Sequence, residues 1–305
     1  MFFCRINWRP QNLSSVEIYL VRLLSSIFSR FYFKGAYRLA SLIYSYQRNF
    51  WQHGVWIKKK YLDAKYDLEI NLFSKDLIDH KILFTGSYER DTNLILEKHV
   101  RSGDWVLEAG ANSGTETLLI SRLVGNSGKV LAFEPVPHVL EKLKSNLRLN
   151  SISNTMTMPV AVGEKTDEVS FFIYPQEHPN QGMGSKTIGS SGLQKLTINQ
   201  STLDSLYLEL HIQRFDFLKM DVQGAELDIL KGGQKCIRLN QPKIFLEAAD
   251  GWSNINDIFN YLELLNYSVF LIENDHLEKL ELPRLKMGNW LALPNLKNET
   301  NHSKS

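Results

Sequence analysis

Cysteine is scarce in this chain of 305 residues, which holds only Cys4 and Cys236. Two cysteines so far apart match no metal-site spacing and no disulfide framework. We therefore expect both to be free thiols in a reducing, cytoplasmic compartment.

Long apolar runs are also missing. No stretch reaches the roughly 18 residues that a membrane-spanning helix needs. One candidate, residues 16–28, is interrupted by Glu17 and Arg22, and no small-residue cleavage site follows it. A signal peptide is therefore not expected, and the sequence has neither an internal repeat nor a low-complexity tract.

The chain has little net charge, +2 at pH 7, so its overall charge does not favour nucleic acid as a partner. The charge is unevenly spread, however. Residues 1–60 hold ten Lys or Arg against one acid, Glu17, which gives +9 and leaves −7 for residues 61–305. The same sixty residues hold 14 of the 34 aromatic side chains. This break marks residues 1–60 as a separate, basic and aromatic unit.

Apolar residues recur at helical spacing over residues 13–50, so the N-terminal unit is predicted to be helical. Three roles remain open for it: a packed cap or homodimer contact, a peripheral membrane helix, or a surface that attracts an anionic acceptor. The remainder divides into a β-hairpin and helix (61–100), a main domain (101–294) and a disordered tail (295–305).

Strands and helices alternate through the main domain, which predicts an α/β fold with a mostly parallel sheet and helices on both faces. A β-rich excursion, with a Gly/Ser/Gln loop at 176–194, interrupts the alternation. The last two strands predict an antiparallel edge pair. The predicted strands are 105–109, 129–134, 155–161, 169–174, 195–199, 215–221, 243–248, 268–273 and 289–293. The predicted helices are 93–100, 113–123, 138–150, 225–231 and 254–266.

A glycine turn follows the first strand of the main domain. Gly110-Ala-Asn-Ser-Gly114 joins this strand to a helix, and Glu134 ends the next strand, 24 positions after Gly110. Glycine allows close approach of the backbone to a ligand, a helix N-terminus offers free N–H groups, and an acid at the second strand end can bind ribose hydroxyls. The pattern predicts half of a nucleoside-binding unit.

Carboxylates stand at or next to the ends of four predicted strands, namely Glu108, Glu134, Asp221 and Glu247. The carboxyl ends of parallel strands form the ligand-binding edge of such a sheet. An acid beside the turn disfavours a pyrophosphate and favours a cationic ligand, and no Gly-Lys-Ser/Thr of a P-loop follows. S-adenosylmethionine, which carries an ammonium, a sulfonium and a ribose, is the predicted cofactor.

Several motifs together resemble the FkbM family of S-adenosylmethionine-dependent methyltransferases. The resemblance covers roughly residues 80–293, and departs from the family pattern at Glu108, where the family usually has Asp, and at Gln223, where it usually has Glu. The motifs are Thr85-Gly-Ser-Tyr-Glu, Gly103-Asp-Trp-Val-Leu-Glu-Ala-Gly-Ala-Asn-Ser-Gly, Ala132-Phe-Glu-Pro, Gly182-Met-Gly-Ser, Thr202-Leu-Asp-Ser-Leu, Phe217-Leu-Lys-Met-Asp-Val-Gln-Gly-Ala-Glu-Leu and Ile244-Phe-Leu-Glu.

The resemblance implies a class I methyltransferase fold, Rossmann-like, with a seven-stranded sheet whose last strand is antiparallel. It also implies methylation of a hydroxyl on a sugar, glycolipid or secondary metabolite. Asp221 would lie near the transferred methyl and Glu134 would hold the ribose. The residues that would line the methionine end of the cofactor are Glu108, Gly110, Asn112 and Gly114. Glu89 and Ala161 complete the predicted cofactor-binding residues.

A hydroxyl acceptor benefits from a base, and the predicted catalytic residues are Asp221, Glu226 and Glu247. Glu89, His138 and His178 are further candidates, although both histidines fit ordinary surface positions and Glu226 also suits the first turn of a helix. A divalent metal is compatible with this chemistry but is not predicted.

Two other functions stay open. One is an N-methyltransferase, although Asp221-Val-Gln-Gly replaces the Asn/Asp-Pro-Pro-Tyr/Phe typical of enzymes that methylate bases. The other is a non-catalytic module that binds an adenosyl ligand and uses residues 1–60 as an interaction arm.

Overall fold

The computed structural model describes residues 56–62, 64–74, 76–174, 184–185, 193–249, 254–273 and 276–295. The predicted N-terminal helices, most of the loop 176–194, His178 and residues 296–305 lie outside these ranges. Within the described residues, no helix is both long enough and apolar enough to cross a bilayer.

The described strands are β1 (Trp56–Tyr61), β2 (Leu68–Phe73), β3 (Trp105–Ala109), β4 (Lys129–Phe133), β5 (Thr155–Met158), β6 (Ala161–Gly163), β7 (Asp167–Ile173), β8 (Gly184–Ser185), β9 (Gln194–Thr202), β10 (Phe217–Met220), β11 (Lys243–Ala248), β12 (Tyr267–Glu273), β13 (His276–Lys279) and β14 (Gly288–Pro294). The described α-helices are α1 (Leu77–Thr85), α2 (Arg90–His99), α3 (Thr115–Val124), α4 (Pro137–Leu149), α5 (Leu203–Glu209), α6 (Glu226–Gly232), α7 (Gln234–Asn240) and α8 (Ile255–Leu264).

The main sheet has the predicted architecture. Among the described residues its order is β13-β12-β14-β11-β10-β3-β4-β5. Strands β5, β4, β3, β10 and β11 are parallel to one another, whereas β14 runs antiparallel between β11 and β12. This is the class I methyltransferase arrangement. The last two predicted strands, β12 and β14, do pair antiparallel. However, β13, which was not predicted, pairs with β12 and forms the edge, so the described sheet has eight strands where seven were expected.

Apolar strands explain why this sheet is central. Four of the five residues of β3 and all four of β10 are buried. Side chains alternate between the two faces of a strand, so Leu107 packs against one layer of helices and Val106 against the other. Glu108 and Lys219 lie on the same face as Val106 and Phe217, the face that α3 covers.

The third strand of the main domain is shorter than predicted. It ends at Met158, and Pro159 interrupts the ladder because proline has no N–H to donate. The chain then enters β6, which pairs with β9 in a second sheet of order β6-β9-β7-β8. Ala161, predicted at the end of a main-sheet strand, therefore lies in this second sheet.

The hairpin β1–β2 is present as predicted, and β1 continues across the proposed boundary at residue 60. Asn146 of α4 and Asn150, which follows the last residue of α4, attach the hairpin to the main domain. Asn146 Oδ1 accepts from the Asn71 N–H at 2.9 Å. The Asn150 side chain accepts from the Glu69 N–H and donates to the Glu69 carbonyl, both at 2.7 Å. Three helices, α1, α5 and α7, were not predicted, and α2 begins three residues earlier than predicted.

Candidate active site at the carboxyl edge of the sheet

The glycine turn packs directly on the end of β10. Gly110 has φ +79°, and a Cβ there would lie 2.0 Å from the carbonyl oxygen of Asp221. The Asp221 N–H in turn donates to the Ala109 carbonyl at 3.1 Å. Only glycine permits this approach, which brings the turn against the Asp221 backbone, whereas the sequence predicted that the glycine would face a ligand.

Glu134 attaches the end of β4 to the same turn. Its Oε2 accepts from the Asn112 N–H at 3.0 Å and its Oε1 accepts from the Val136 N–H at 2.9 Å. Burial raises the pKa of Glu134 to about 7, and the two backbone donors work against that rise. Each carboxylate oxygen has a second lone pair, so Glu134 can still accept from ribose hydroxyls, the role predicted for it.

Glu108 lies beneath the turn, with no solvent-exposed area. Thr117 donates its hydroxyl proton to Glu108 Oε2 at 2.6 Å, and Lys219 Nζ lies 3.3 Å from Oε1. Burial raises the pKa of Glu108 to about 7, although Lys219 and Thr117 lower it. The Glu108 carboxylate faces α3 rather than solvent. This burial does not favour direct contact with the methionine end of a cofactor, the role that was predicted for Glu108.

Lys219 is the functional candidate that the sequence reasoning missed. Its side chain is only 1% exposed, and its Nζ lies 3.7 Å from Glu116 Oε2 and 3.9 Å from Asp221 Oδ2. Burial acts to lower the pKa of Lys219, but the surrounding acids outweigh it, so the pKa lies above its usual value. A lone lysine inside the apolar strand Phe217–Met220 was the available signal, since an unpaired buried cation is costly.

Asp221, Glu89 and Glu247 line the more accessible part of the site. The Asp221 side chain keeps 31% of its exposure, and burial raises its pKa while Lys219 lowers it. Glu89, half-buried, accepts from the Thr92 hydroxyl at 3.0 Å. Burial raises its pKa to about 7, and Glu116 and Asp221 add to that rise. Burial and Asp221 also raise the pKa of Glu247. The structure thus brings these three carboxylates into one electrostatic group.

Glu226, a predicted catalytic residue, is almost fully buried and holds its own loop. Its carboxylate accepts from the Val222 N–H at 3.3 Å and the Gly224 N–H at 3.0 Å. Burial raises its pKa to about 7. These contacts favour a role in shaping the loop after β10 over a role as base. Ala161, on β6 beside Gln200, remains a predicted cofactor contact.

A cleft of about 570 Å³ opens beside the turn, between α4, α1 and the hairpin. His138 lines it from the first turn of α4. Its lining residues are Trp56, Asn71, Asp76, Ile78, Asn112, Ser113, His138, Val139, Glu141, Lys142 and Ser145. In the part of the chain that the structure describes, no group of three or more His, Cys, Asp or Glu side chains could hold a metal ion.

The chain is similar in sequence to several known methyltransferases. "Methyltransferase 1" of Beauveria bassiana is 23% identical over 190 residues, which is 56% of this chain and 70% of that protein. "Hexuronic acid methyltransferase AglP" of Haloferax volcanii is 24% identical over 144 residues, which is 47% of this chain and 56% of that protein. The solved structure of a methyltransferase FkbM from Methylobacillus flagellatus is 14% identical, covers 84% of this chain and 59% of that one, and has a TM-score of 0.42.

The family model for the methyltransferase FkbM domain matches residues 108–269. That segment is more than half of the chain, and it contains the glycine turn and the strand-end carboxylates described above. The chain therefore belongs to the FkbM methyltransferase family.

Proposed function

We propose that this protein is an S-adenosylmethionine-dependent O-methyltransferase that acts on a hydroxyl of a sugar, a glycolipid or a secondary metabolite. The observation that carries the proposal is an excess of carboxylates over cations around the end of β10. One buried ammonium, that of Lys219, lies among these acids. The acids are Glu89, Glu108, Glu116, Asp221 and Glu247.

This excess fits a cationic ligand. Burial disfavours ionisation of these acids, and one lysine offsets only part of that cost. The pKa values of Glu89, Glu108, Asp221 and Glu247 accordingly lie above their usual values, chiefly because of burial. A bound sulfonium and ammonium would offset that charge. Gly110 and Asn112 would hold the methionine end, and Glu134 the ribose. When bound, S-adenosylmethionine supplies a methyl group on a positively charged sulfur, which is the electrophile.

The same carboxylates could accept the proton of an acceptor hydroxyl. A general base works best when its pKa is near the working pH. Glu89, half-buried and with a pKa of about 7, fits that requirement, and Asp221 and Glu247 lie in the same electrostatic group. The protein would then contribute mainly by placing the hydroxyl in line with the methyl group.

The sugar or metabolite acceptor is the finer part of the proposal. Membership of the family supports it, and so does the similarity to AglP, a hexuronic acid methyltransferase. The cleft beside the turn has room for a ligand of small-molecule size, with the half-exposed aromatic face of Trp56 and polar groups along its wall. Glu89, Asp221 and Glu247 do not line this cleft, so it would hold a part of the ligand away from the reacting hydroxyl. Aromatic faces with amide and carboxylate neighbours suit a polyhydroxylated ligand.

Isothermal titration calorimetry with S-adenosylmethionine tests the cofactor. We expect a saturable heat with the full-length chain. No heat and no thermal shift at millimolar ligand would exclude this cofactor.

Transfer of a labelled methyl group to a panel of sugars and glycolipids tests the reaction. Once an acceptor is found, Asp221→Asn should abolish turnover while it largely preserves cofactor binding. The matched control Glu281→Gln neutralises an exposed acid and should keep full activity. Full activity in Asp221→Asn would remove Asp221 from the mechanism.

A further inference from the structure

Lys219 occupies a position that connects two kinds of carboxylate. In the ladder between β3 and β10, Lys219 stands opposite Glu108. Glu108 and Glu116 are buried on the α3 side, at 0% and 4% exposure. Asp221, two residues further along the chain, keeps 31% of its side-chain exposure. Of these three acids, Asp221 is therefore the one that a ligand could contact.

The contacts of Lys219 act through charge more than through directional bonds. Its Nζ lies 3.3, 3.7 and 3.9 Å from oxygens of Glu108, Glu116 and Asp221. Charge-assisted hydrogen bonds of this kind are usually about 2.7–2.9 Å long. At these longer distances the ammonium still lowers the pKa of Glu108 and of Asp221, and so favours their ionised forms.

The two buried acids in turn keep Lys219 charged and in place. Without them, an ammonium with 1% exposure would tend to lose its proton. With them, the cation is held behind Asp221 on the side away from the accessible part of the site. The buried pair therefore supports Lys219, and Lys219 supports Asp221.

We propose that Lys219 is a positioning residue for methyl transfer: it keeps Asp221 ionised and oriented toward the bound cofactor. This inference rests on the proposed function, since it assigns Asp221 to the neighbourhood of the transferred methyl. It differs from a purely structural role, in which Lys219 would only neutralise Glu108 and Glu116 so that the sheet can fold.

Binding measurements with two ligands separate these roles without knowledge of the acceptor. S-adenosylmethionine carries a positive sulfur, whereas S-adenosylhomocysteine has a neutral thioether. The ratio of their Kd values, measured by calorimetry between pH 4.5 and 8, reports an ionised carboxylate near the sulfur. In the wild type we expect a preference for the sulfonium that declines as pH falls. Glu89, Glu226 and Glu247 also interact with Asp221 and titrate with it. Asp221→Asn should nevertheless remove most of this pH dependence, because Asp221 is the acid proposed to lie nearest the sulfur.

Lys219→Met alone leaves buried acids without a cation and can fail to fold. The double variant Lys219→Met/Glu116→Gln removes one charge of each sign and preserves the balance. This double variant should fold. The pH below which it no longer prefers the sulfonium ligand should be higher than in the wild type by about one unit or more, because an opposite charge at this distance lowers a carboxyl pKa by roughly 1–3 units. The control Glu116→Gln keeps the lysine. It should lose the preference for the sulfonium ligand at the same pH as the wild type or at a lower pH.

The outcomes are distinct. A folded double variant with the wild-type pH dependence would show that Lys219 has only a structural role. Retention of the pH dependence in Asp221→Asn would also overturn the inference, because another group would then be responsible. Absence of binding of both ligands to the wild type would instead contradict the proposed function itself.

Discussion

Replacement of Gly110 by alanine tests the contact that holds the site together. The substitution has two physical costs. The positive φ of +79° disfavours any L residue by about 1–2 kcal/mol. The new Cβ would also lie 2.0 Å from the Asp221 carbonyl oxygen and 2.9 Å from its carbon. Both are backbone atoms, so the turn or the end of β10 must move.

Gly86 offers a matched control, because its φ is +82° and a Cβ there meets nothing within 4 Å. Both substitutions restrict the unfolded chain in the same way, so the difference between them isolates the clash. Overpacking of this kind typically costs about 1–3 kcal/mol. We therefore expect Gly110→Ala to lower the free energy of unfolding by about 2–5 kcal/mol, and Gly86→Ala by about 1–2 kcal/mol.

Urea unfolding followed by circular dichroism measures both variants, and equal m-values would confirm that the same surface is exposed on unfolding. A calorimetric titration of Gly110→Ala should also show weakened binding of S-adenosylmethionine, because the turn no longer fits against β10. If the two variants unfold within about 0.5 kcal/mol of each other, the tight approach of the turn to Asp221 is not a feature of the protein.

Two further predictions concern stability. Burial raises the pKa of Glu108 to about 7 from the 4.5 of an exposed group. The unfolded chain therefore ionises first, and this group lowers stability as pH rises from 4.5 to 7. Glu108→Gln should flatten the pH dependence of the unfolding free energy over this window, whereas the exposed Glu281→Gln should not; an unchanged slope in Glu108→Gln would contradict the burial. Asn150→Ala removes the hydrogen bonds to Glu69 and should cost about 2 kcal/mol in urea unfolding. Hydrogen exchange should rise at residues 68–73, and unaltered protection there would show that the hairpin does not depend on Asn150.

Much of the main domain follows from local sequence. The structure places β3, β4 and β11 within one residue of their predicted bounds, because apolar segments flanked by turn residues leave few alternatives. β10 is two residues shorter at its start, and helices α6 and α8 also lie within two residues of the prediction. Such ends fray and differ by one or two residues in any case.

The errors share a cause, since they depend on partners distant in the sequence. The strand predicted over residues 155–161 divides at Pro159, and β6 then pairs with β9 instead of extending β5. Likewise β14 inserts between β11 and β12. Apolar runs of this kind do not specify which neighbour they pair with. Only the packing of the whole sheet does.

The sequence by itself determined the α/β class, the glycine turn, the acid at the end of each key strand and the resemblance that the family match confirmed. Those are local patterns, set by backbone freedom at glycine and by alternation of apolar and polar residues. Only the tertiary structure decided which acids are buried and which reach the site. Glu108 and Lys219 are 111 positions apart in the chain, yet the β3–β10 register places them side by side. Burial and charge pairing arise from such long-range register, and they distinguish the solvent-accessible Asp221 from the buried Glu108 and Glu226.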